Sequence, residues 1–169
     1  MPSVWSIELL DKRHDRSAFD CGNPSLNEYL KRYASQNARR GIGRTYVATP
    51  VDGDVVAGYY SLCTGSIAFA NAPPELVDRL PRYPIPTVHL ARLAVDSSRQ
   101  GAGLGGILLV DALVRCASVA DEVGVRAVSV DAKDDEAAGF YAHFGFEPLK
   151  DSSLHLYLLM DTARQLIAE

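Results

Sequence analysis

Apolar residues in the first third of the chain recur with the period of a helix. Over residues 25–40 they occupy positions i, i+3, i+4 and i+7, which form one helical face: Leu26, Tyr29, Leu30 and Tyr33. Ser25 and Glu28 have the spacing of a capping box at the helix start, and Gly41 follows its end. This stretch therefore predicts a helix from Ser25 to about Arg40.

Short apolar runs rich in β-branched and aromatic residues flank this helix. Residues 4–10 predict a first strand, and residues 45–49 and 55–62 predict a hairpin around the Asp52-Gly53 turn. Residues 71–87 contain several prolines and predict a loop with one short helix at Glu75 to Leu80. Because a hairpin joins antiparallel strands, the sheet is predicted to be antiparallel in its N-terminal half.

The second half of the chain alternates strands with helices. Predicted strands cover residues 88–95, 126–131 and 154–160, and predicted helices cover residues 103–120 and 134–144. Strands separated by a helix favour parallel pairing. All 169 residues are therefore predicted to form a single α/β (α+β) domain. Its central sheet is mixed, antiparallel in the N-terminal half, and flanked by helices.

The composition narrows the class of protein. Hydrophobic residues make up 47% of the chain and charged residues 22%, a balance typical of soluble globular proteins. The uncharged run near the middle of the chain, Gly101 to Val110, is far shorter than the roughly 20 apolar residues that a membrane-spanning helix needs. The N-terminus has no basic segment followed by an apolar stretch, so it does not resemble a secretory signal. We expect a cytoplasmic protein with no membrane partner.

Cysteines and histidines show no spacing typical of a disulfide framework or of a metal site. The three cysteines lie far apart in the sequence, and the four histidines form no HExxH motif and no closely spaced pair. We therefore predict that the protein binds no metal ion.

Charge is distributed unevenly along the chain. The net charge is −4, which does not favour binding of nucleic acid by the surface as a whole. Basic residues are nevertheless concentrated in the N-terminal part, where Arg39, Arg40 and Arg44 lie in a stretch without acidic residues. These three arginines are candidates for contact with a phosphate backbone, and a solvated helix face is the alternative.

Four glycines fall between a predicted strand and an apolar helix, in the segment Arg99-Gln100-Gly101-Ala102-Gly103-Leu104-Gly105-Gly106. Glycines let backbone N–H groups approach a pyrophosphate, and the helix start adds unpaired donors. A Walker loop is excluded because no Gly-Lys-Ser/Thr follows. A dinucleotide-binding GxGxxG pattern is formally present, although a polar segment separates it from its strand. A purely structural glycine turn is a further alternative.

The segment also resembles the Q/R-x-x-G-x-G/A pyrophosphate loop of the GNAT acetyltransferases. Arg92-Leu93-Ala94-Val95-Asp96 looks like the central strand of that family. Phe140-Tyr141-Ala142-His143-Phe144-Gly145-Phe146 looks like its late F-Y-x-x-x-G-F motif. Three motifs in the family's order favour this interpretation over the other two.

Further matches resemble the GNAT toxins of bacterial toxin-antitoxin systems, the TacT and AtaT group. They are Phe19-Asp20-Cys21-Gly22-Asn23-Pro24-Ser25-Leu26, Arg44-Thr45-Tyr46-Val47 and Gly58-Tyr59-Tyr60. This resemblance implies acetyl-CoA as co-substrate and acetylation of the α-amine of aminoacyl-tRNA, which blocks translation. It also implies a ribbon-helix-helix antitoxin as partner, and it leaves a homodimer open.

The GNAT resemblance also implies roles for particular residues. The pyrophosphate would bind to the backbone of Gln100, Gly101, Ala102, Gly103, Leu104, Gly105 and Gly106. The pantetheine and the thioester carbonyl would bind to the backbone of Leu93, Ala94 and Val95. Tyr141 is the candidate acid that protonates the departing thiolate, and an aromatic core residue is the alternative.

Several points stay open at the level of sequence. Arg92 either orients the substrate or pairs with a carboxylate within the sheet. No carboxylate or histidine stands out as a general base, and an α-amine with an ordinary pKa of about 8 is partly neutral without one. Two alternatives to the toxin activity are a GNAT enzyme acting on a small amine or a protein N-terminus, and a non-catalytic acyl-CoA-binding regulator.

Overall fold

Seven strands form one sheet in the computed structural model, which describes residues 4–169. The strand order is β1-β2-β3-β4-β5-β7-β6. The strands are β1 (Trp5–Leu9), β2 (Arg44–Pro50), β3 (Gly58–Ile67), β4 (Ile85–Val95), β5 (Ala127–Asp131), β6 (Glu147–Pro148) and β7 (His155–Leu159).

The pairing of the strands confirms the predicted mixed sheet. Strands β1, β2 and β3 pair antiparallel, with Glu8 opposite Val47 in the first ladder. Strands β4 and β5 pair parallel over Thr87–Leu90 and Ala127–Val130. Strand β7 then pairs antiparallel with both β5 and β6. Parallel pairing occurs where a helix connects the two strands, as the alternation of elements predicts.

Six α-helices accompany the sheet within residues 4–169. They are α1 (Pro24–Glu28), α2 (Ala34–Arg39), α3 (Pro74–Val77), α4 (Leu104–Glu122), α5 (Asp135–His143) and α6 (Met160–Ile167). The sequence analysis did not predict α6 or the two-residue strand β6. Helix α6 follows β7 directly, so its start was assigned to the end of the strand.

The first predicted helix is interrupted by a π turn at Tyr29–Tyr33, between α1 and α2. The N–H of Ala34 donates to the carbonyl of Tyr29, five residues earlier. This extra residue per turn rotates the following residues around the axis. Ala34 is therefore buried, while Tyr33, which was predicted on the apolar face, is 44% exposed.

The start of this helix differs from the predicted capping box. The side chain of Asn23, not that of Ser25, caps the helix and accepts a hydrogen bond from the N–H of Leu26. Pro24 occupies the first helical position, where its missing N–H costs no helical hydrogen bond. The Asn-Pro pair is therefore the helix start signal.

Strand β3 begins three residues later than predicted, at Gly58. A Cβ atom at Gly58 would lie 2.9 Å from the Cδ1 of Leu108 and 3.1 Å from the carbonyl oxygen of Ala94. Only glycine lets the strand pass this close to helix α4 and strand β4. The segment before it, residues 51–57, is the connection between β2 and β3.

The chain divides into two compact units, each with its own hydrophobic core. The first unit comprises Met1–Cys63 and Ala91–Ala112, and aromatic residues such as Phe19 and Tyr59 lie in its core. The second unit comprises Thr64–Leu90 and Leu113–Glu169, and Leu76 and Tyr157 lie in its core. In residues 4–169 no helix has the length and apolar character required to cross a membrane.

Candidate active site

The glycine segment forms an open loop between β4 and α4, in the first unit. Gly101 and Gly103 have φ angles of +82° and +87°, a conformation that residues with side chains rarely adopt. A Cβ atom at either position would meet no other atom within 4 Å. The loop therefore presents bare backbone next to open space, which suits close approach of a phosphate group to N–H donors.

Gln100 braces the start of this loop. Its side-chain Nε2 donates to the carbonyl of Val95 at 2.9 Å and to the carbonyl of Cys21 at 3.1 Å. The side-chain amide thus provides a hydrogen-bond donor both to a carbonyl at the end of β4 and to a carbonyl in the segment before α1. In the structure the Gln100 side chain shapes the loop, and only its backbone is left to face a ligand.

Asp96 is a second brace, and the sequence analysis did not single it out. Its Oδ1 accepts from the N–H of Asp20 at 2.8 Å, and its Oδ2 accepts from the N–H of Ser98 at 3.0 Å. Burial raises the pKa of Asp96, but the hydrogen bonds from Ser98 and Asp20 outweigh burial and hold the pKa below its ordinary value. An aspartate two residues before a serine was the available signal, because it is typical of a side-chain-capped turn.

Leu93, Ala94 and Val95 form the end of β4, beyond its ladder with β5. That ladder ends at Leu90. Ala94 is buried, whereas Leu93 and Val95 are half-buried. Backbone groups beyond a ladder can bind a ligand, which is the role that the sequence analysis predicts for this segment.

Tyr141 lies on helix α5, in the second unit, with its ring in the core. The side chain is 6% exposed and packs edge-on against the rings of Phe140 and Phe146, at centroid distances of 5.2 and 5.5 Å. Burial raises the pKa of its hydroxyl above the ordinary value for tyrosine. Within residues 4–169 the hydroxyl forms no hydrogen bond.

The Tyr141 hydroxyl nevertheless keeps some contact with solvent. No completely buried side-chain oxygen or nitrogen in residues 4–169 lacks a hydrogen-bonding partner. Since the Tyr141 hydroxyl has none, it cannot be completely buried. The ring is therefore a core residue while the hydroxyl points to an accessible position, so it is available to donate to a ligand.

Arg92 stacks on an aromatic ring instead of pairing with a carboxylate. Its guanidinium carbon lies 3.6 Å from the centre of the Tyr29 ring, a cation–π contact. In the part of the chain that the structure describes, no acidic side chain forms an ion pair with Arg92. The sequence left two roles open for Arg92, and the alternative in which it pairs with a carboxylate within the sheet is wrong.

Arg39, Arg40 and Arg44 form an exposed basic patch, which we call the arginine patch. All three side chains are exposed, and among residues 4–169 none of them forms an ion pair. Arg32 on the preceding turn differs, because it lies 3.3 Å from Glu28. The arginine patch is therefore free to bind an anion.

Comparisons with known proteins identify the family. Residues 41–148 match a family model described as an acetyltransferase (GNAT) domain. The chain belongs to this family. The tRNA-acetylating toxin of Mycobacterium tuberculosis is 47% identical over 155 residues, which cover 92% of each protein. The probable toxin TacT of Sinorhizobium fredii is 34% identical, over 95% of this chain and 94% of that protein.

Solved structures of GNAT toxins have the same fold. AtaT complexed with acetyl-methionyl-tRNAfMet superposes with a TM-score of 0.89 at 32% identity, covering 96% of this chain and 98% of that one. A Tyr→Phe mutant of AtaT, bound to acetyl-CoA and the C-terminus of its antitoxin AtaR, gives a TM-score of 0.84 at 29% identity. That match covers 99% of this chain and all of the other.

The predicted site residues of this GNAT chain are divided between the two units. The glycine loop, the end of β4, Arg92 and the arginine patch belong to the first unit, whereas Tyr141 belongs to the second. The roles assigned to these residues stay predictions. No group of three or more histidine, cysteine or acidic side chains in residues 4–169 is arranged to hold a metal ion.

Proposed function

We propose that this protein is an acetyl-CoA-dependent toxin that acetylates the α-amine of aminoacyl-tRNA and so blocks translation. The observation that carries the proposal is the 47% identity, over nearly the whole chain, to a tRNA-acetylating toxin. The solved AtaT complex with an acetylated aminoacyl-tRNA, from a structure with the same fold, supports it. The site of action would be the cytoplasm, where aminoacyl-tRNA is found.

The glycine loop is the proposed binding site for the pyrophosphate of acetyl-CoA. The positive φ angles of Gly101 and Gly103, and the open space around both, fit a chain of N–H donors facing a phosphate. Leu93, Ala94 and Val95 would hold the pantetheine and polarise the thioester carbonyl through their backbone. Acetyl-CoA would supply the activated acetyl group, and the loop would hold the co-substrate in position for the reaction.

Tyr141 is the proposed proton donor to the sulfur that leaves. The ordinary pKa of tyrosine, about 10, lies above that of a thiol, about 8.5, so full transfer to a free thiolate is unfavourable. Burial raises the pKa of Tyr141 further. The hydroxyl must therefore donate as the carbon–sulfur bond breaks, and must regain a proton from the positively charged nitrogen of the adduct. A proton relay of this kind keeps the tyrosinate from accumulating.

The arginine patch is the proposed contact for the tRNA backbone. A protein of net charge −4 needs a local cluster of cations to bind a polyanion. Arg39, Arg40 and Arg44 supply such a cluster because acidic partners do not neutralise them. A ribbon-helix-helix antitoxin is the proposed protein partner, since the related toxin AtaT binds the C-terminus of an antitoxin.

The deciding experiment uses labelled acetyl-CoA with bulk tRNA that is either aminoacylated or stripped of amino acids. We expect label in the aminoacylated tRNA alone, with release on alkaline hydrolysis as an N-acetyl amino acid. Label on a small amine or a protein N-terminus would replace this proposal by another GNAT activity. Binding of acetyl-CoA without transfer to any amine would indicate a regulator.

A further inference from the structure

The charge of Arg92 has no counter-ion among residues 4–169. Its guanidinium carbon lies 3.6 Å from the centre of the Tyr29 ring, and the side chain forms no hydrogen bond and no ion pair with the residues described. The residue is half-buried. An aromatic ring gives a cation a favourable contact but no negative charge, so a cation partly removed from water still favours an anion. The N–H groups of Arg92 are therefore available to an anionic ligand.

Two polar side chains close enough to be affected by the charge of Arg92 stay neutral. Burial raises the pKa of the Tyr59 hydroxyl and of the Cys63 thiol, and the positive charge of Arg92 offsets only part of that increase. Both groups therefore keep their protons at neutral pH. The Tyr59 hydroxyl donates a hydrogen bond to the carbonyl of Leu26 at 2.7 Å. Neither group can act as the counter-ion of Arg92.

The Tyr29 ring holds the guanidinium of Arg92 in position. Tyr29 is 5% exposed, and its ring stacks on that of Tyr59 with 6.3 Å between the ring centres. Its hydroxyl accepts a hydrogen bond from Nδ2 of Asn37 at 3.4 Å. A ring packed in this way limits the positions open to Arg92, so the side chain loses little freedom when a ligand binds. The cation–π contact therefore preorganises Arg92 for an anion.

Arg92 also connects two parts of the proposed site, and all of them belong to the first unit. Along β4 it directly precedes residues 93–95, the proposed thioester segment, and consecutive Cα atoms are about 3.8 Å apart. A Cβ at Gly43 would lie 3.6 Å from the Tyr29 hydroxyl, and Arg44 of the arginine patch follows Gly43. The order in the chain is Arg92, thioester segment and glycine loop. An anion bound by Arg92 therefore fits the acceptor better than the pyrophosphate of acetyl-CoA.

We propose that Arg92 binds the phosphate between the last two nucleotides of the acceptor RNA and so positions the aminoacyl end at residues 93–95. The inference rests on the proposed function and adds a residue that selects the acceptor. The amino acid is esterified to the last ribose, so this phosphate is the one nearest to the α-amine. The planar guanidinium can bind two phosphate oxygens at once. A free small amine lacks the phosphate and would not make this contact.

The test combines a change in the protein with a change in the RNA. A tRNA charged with an amino acid that the parent acetylates is prepared with a neutral methylphosphonate in place of the last phosphate. For the parent, this linkage should lower kcat/KM for acetylation by about 10- to 100-fold, the range for hydrogen bonds to a charged group. Arg92→Met should show a loss of similar size with ordinary tRNA and almost no further loss with the methylphosphonate. The same replacement one nucleotide earlier should show no such coupling with Arg92.

Two further variants separate this role from a structural one. Arg82→Met makes the same change at an exposed arginine that also lies over a ring, 5.4 Å from the centre of Phe69, and it should keep the parent kinetics. Arg92→Lys keeps the charge but not the planar fork, so its coupling to the last phosphate should be smaller than that of the parent. This variant serves if Arg92→Met does not fold.

The remaining outcomes would overturn the assignment of Arg92. If the parent tolerates the methylphosphonate, or if the losses from the two changes simply multiply, Arg92 does not bind this phosphate, while the proposed function stands. Weaker binding of acetyl-CoA by Arg92→Met, measured by calorimetry, would assign the residue to the co-substrate instead. If the parent transfers no label to ordinary aminoacylated tRNA, both proposals fail.

Discussion

The glycine loop and Tyr141 perform their proposed tasks by opposite means. In the loop the ligand would bind to peptide N–H groups, and the side chains of Gln100 and Asp96 only brace the backbone. At Tyr141 a side chain would donate the proton, and the backbone of α5 only sets its position. If both proposed roles hold, binding of a constant group, a pyrophosphate, is specified by backbone shape alone. Chemistry that moves protons needs a titratable side chain.

Among the substitutions that leave acetyl-CoA binding intact, removal of the Tyr141 hydroxyl should lower the rate of acetylation most. Tyr141→Phe keeps the ring contacts with Phe140 and Phe146 and deletes the one proton donor. General acid catalysis contributes about 10²–10⁴ in rate, so single-turnover acetylation should fall within that range. The dissociation constant for acetyl-CoA, measured by calorimetry, should stay unchanged.

Tyr83→Phe is the matched control, because Tyr83 is 70% exposed and has no proposed role. Its turnover should equal that of the parent. Parent-like turnover in a stable Tyr141→Phe variant would show that the tyrosine is a core residue only. The proton on sulfur would then come from water.

A side chain in the glycine loop should abolish acetyl-CoA binding and leave the fold intact. Gly103→Val introduces a β-branched side chain at a φ of +87°, where its Cβ would fill the space open to a phosphate. Gly41→Val is the control, because Gly41 also has a positive φ, +72°, and open surroundings. Calorimetry should detect no acetyl-CoA binding by Gly103→Val and parent-like binding by Gly41→Val. Equal affinities would remove the loop from the site.

Reversal of the arginine patch should have the smallest effect on catalysis and the clearest dependence on salt. The triple change Arg39→Glu, Arg40→Glu and Arg44→Glu should weaken acetylation of aminoacylated tRNA at low salt. The association constant for tRNA should also depend less on salt. The slope of its logarithm against the logarithm of the salt concentration should become smaller in magnitude by about one per lost phosphate contact. Acetyl-CoA affinity should not change, because the proposed pyrophosphate site, the glycine loop, contains none of these three arginines.

The control for the arginine patch reverses three exposed cations elsewhere, Lys12, Arg79 and Lys150. The net charge of the protein is then the same as in the patch variant. A parent-like salt slope in this control, with a reduced slope in the patch variant, assigns tRNA binding to the patch. Equal slopes in both variants would mean that tRNA contacts another surface.

Most of the fold could be predicted from local patterns. The strands of the mixed sheet and helices α4 and α5 carry clear periodicity, and the Asp134 cap of α5 lies where the sequence predicts a helix start. The exposure of Tyr33 could not be predicted, because a π turn changes the number of residues per helical turn. No residue type in the sequence marks where such a turn occurs. Helix α6 was missed because β7 leads into it without a turn residue between them.

The glycine loop could be predicted from the sequence, because its backbone shape depends on its glycines. Four glycines in seven residues mark the loop in the sequence itself. The partners of His89 depend on strand register, which places Ser129 beside it and Asp131 two residues further along β5. A lone histidine in an apolar strand gives no sign of such neighbours. Sequence analysis therefore could not predict the group of polar side chains around His89.

The π turn at Tyr29–Tyr33 gives the chain a point at which a residue can be gained or lost during evolution. Arg16 stabilises the π turn, because its Nη1 donates a hydrogen bond to the carbonyl of Leu30 at 2.8 Å. Loss of one residue here would restore a continuous α-helix and turn everything after it by about 100° around the axis. Arg39 and Arg40 would then face another direction with no change in their identity. Single-residue indels at this turn offer related toxins a route to present the same cations to differently shaped ligands.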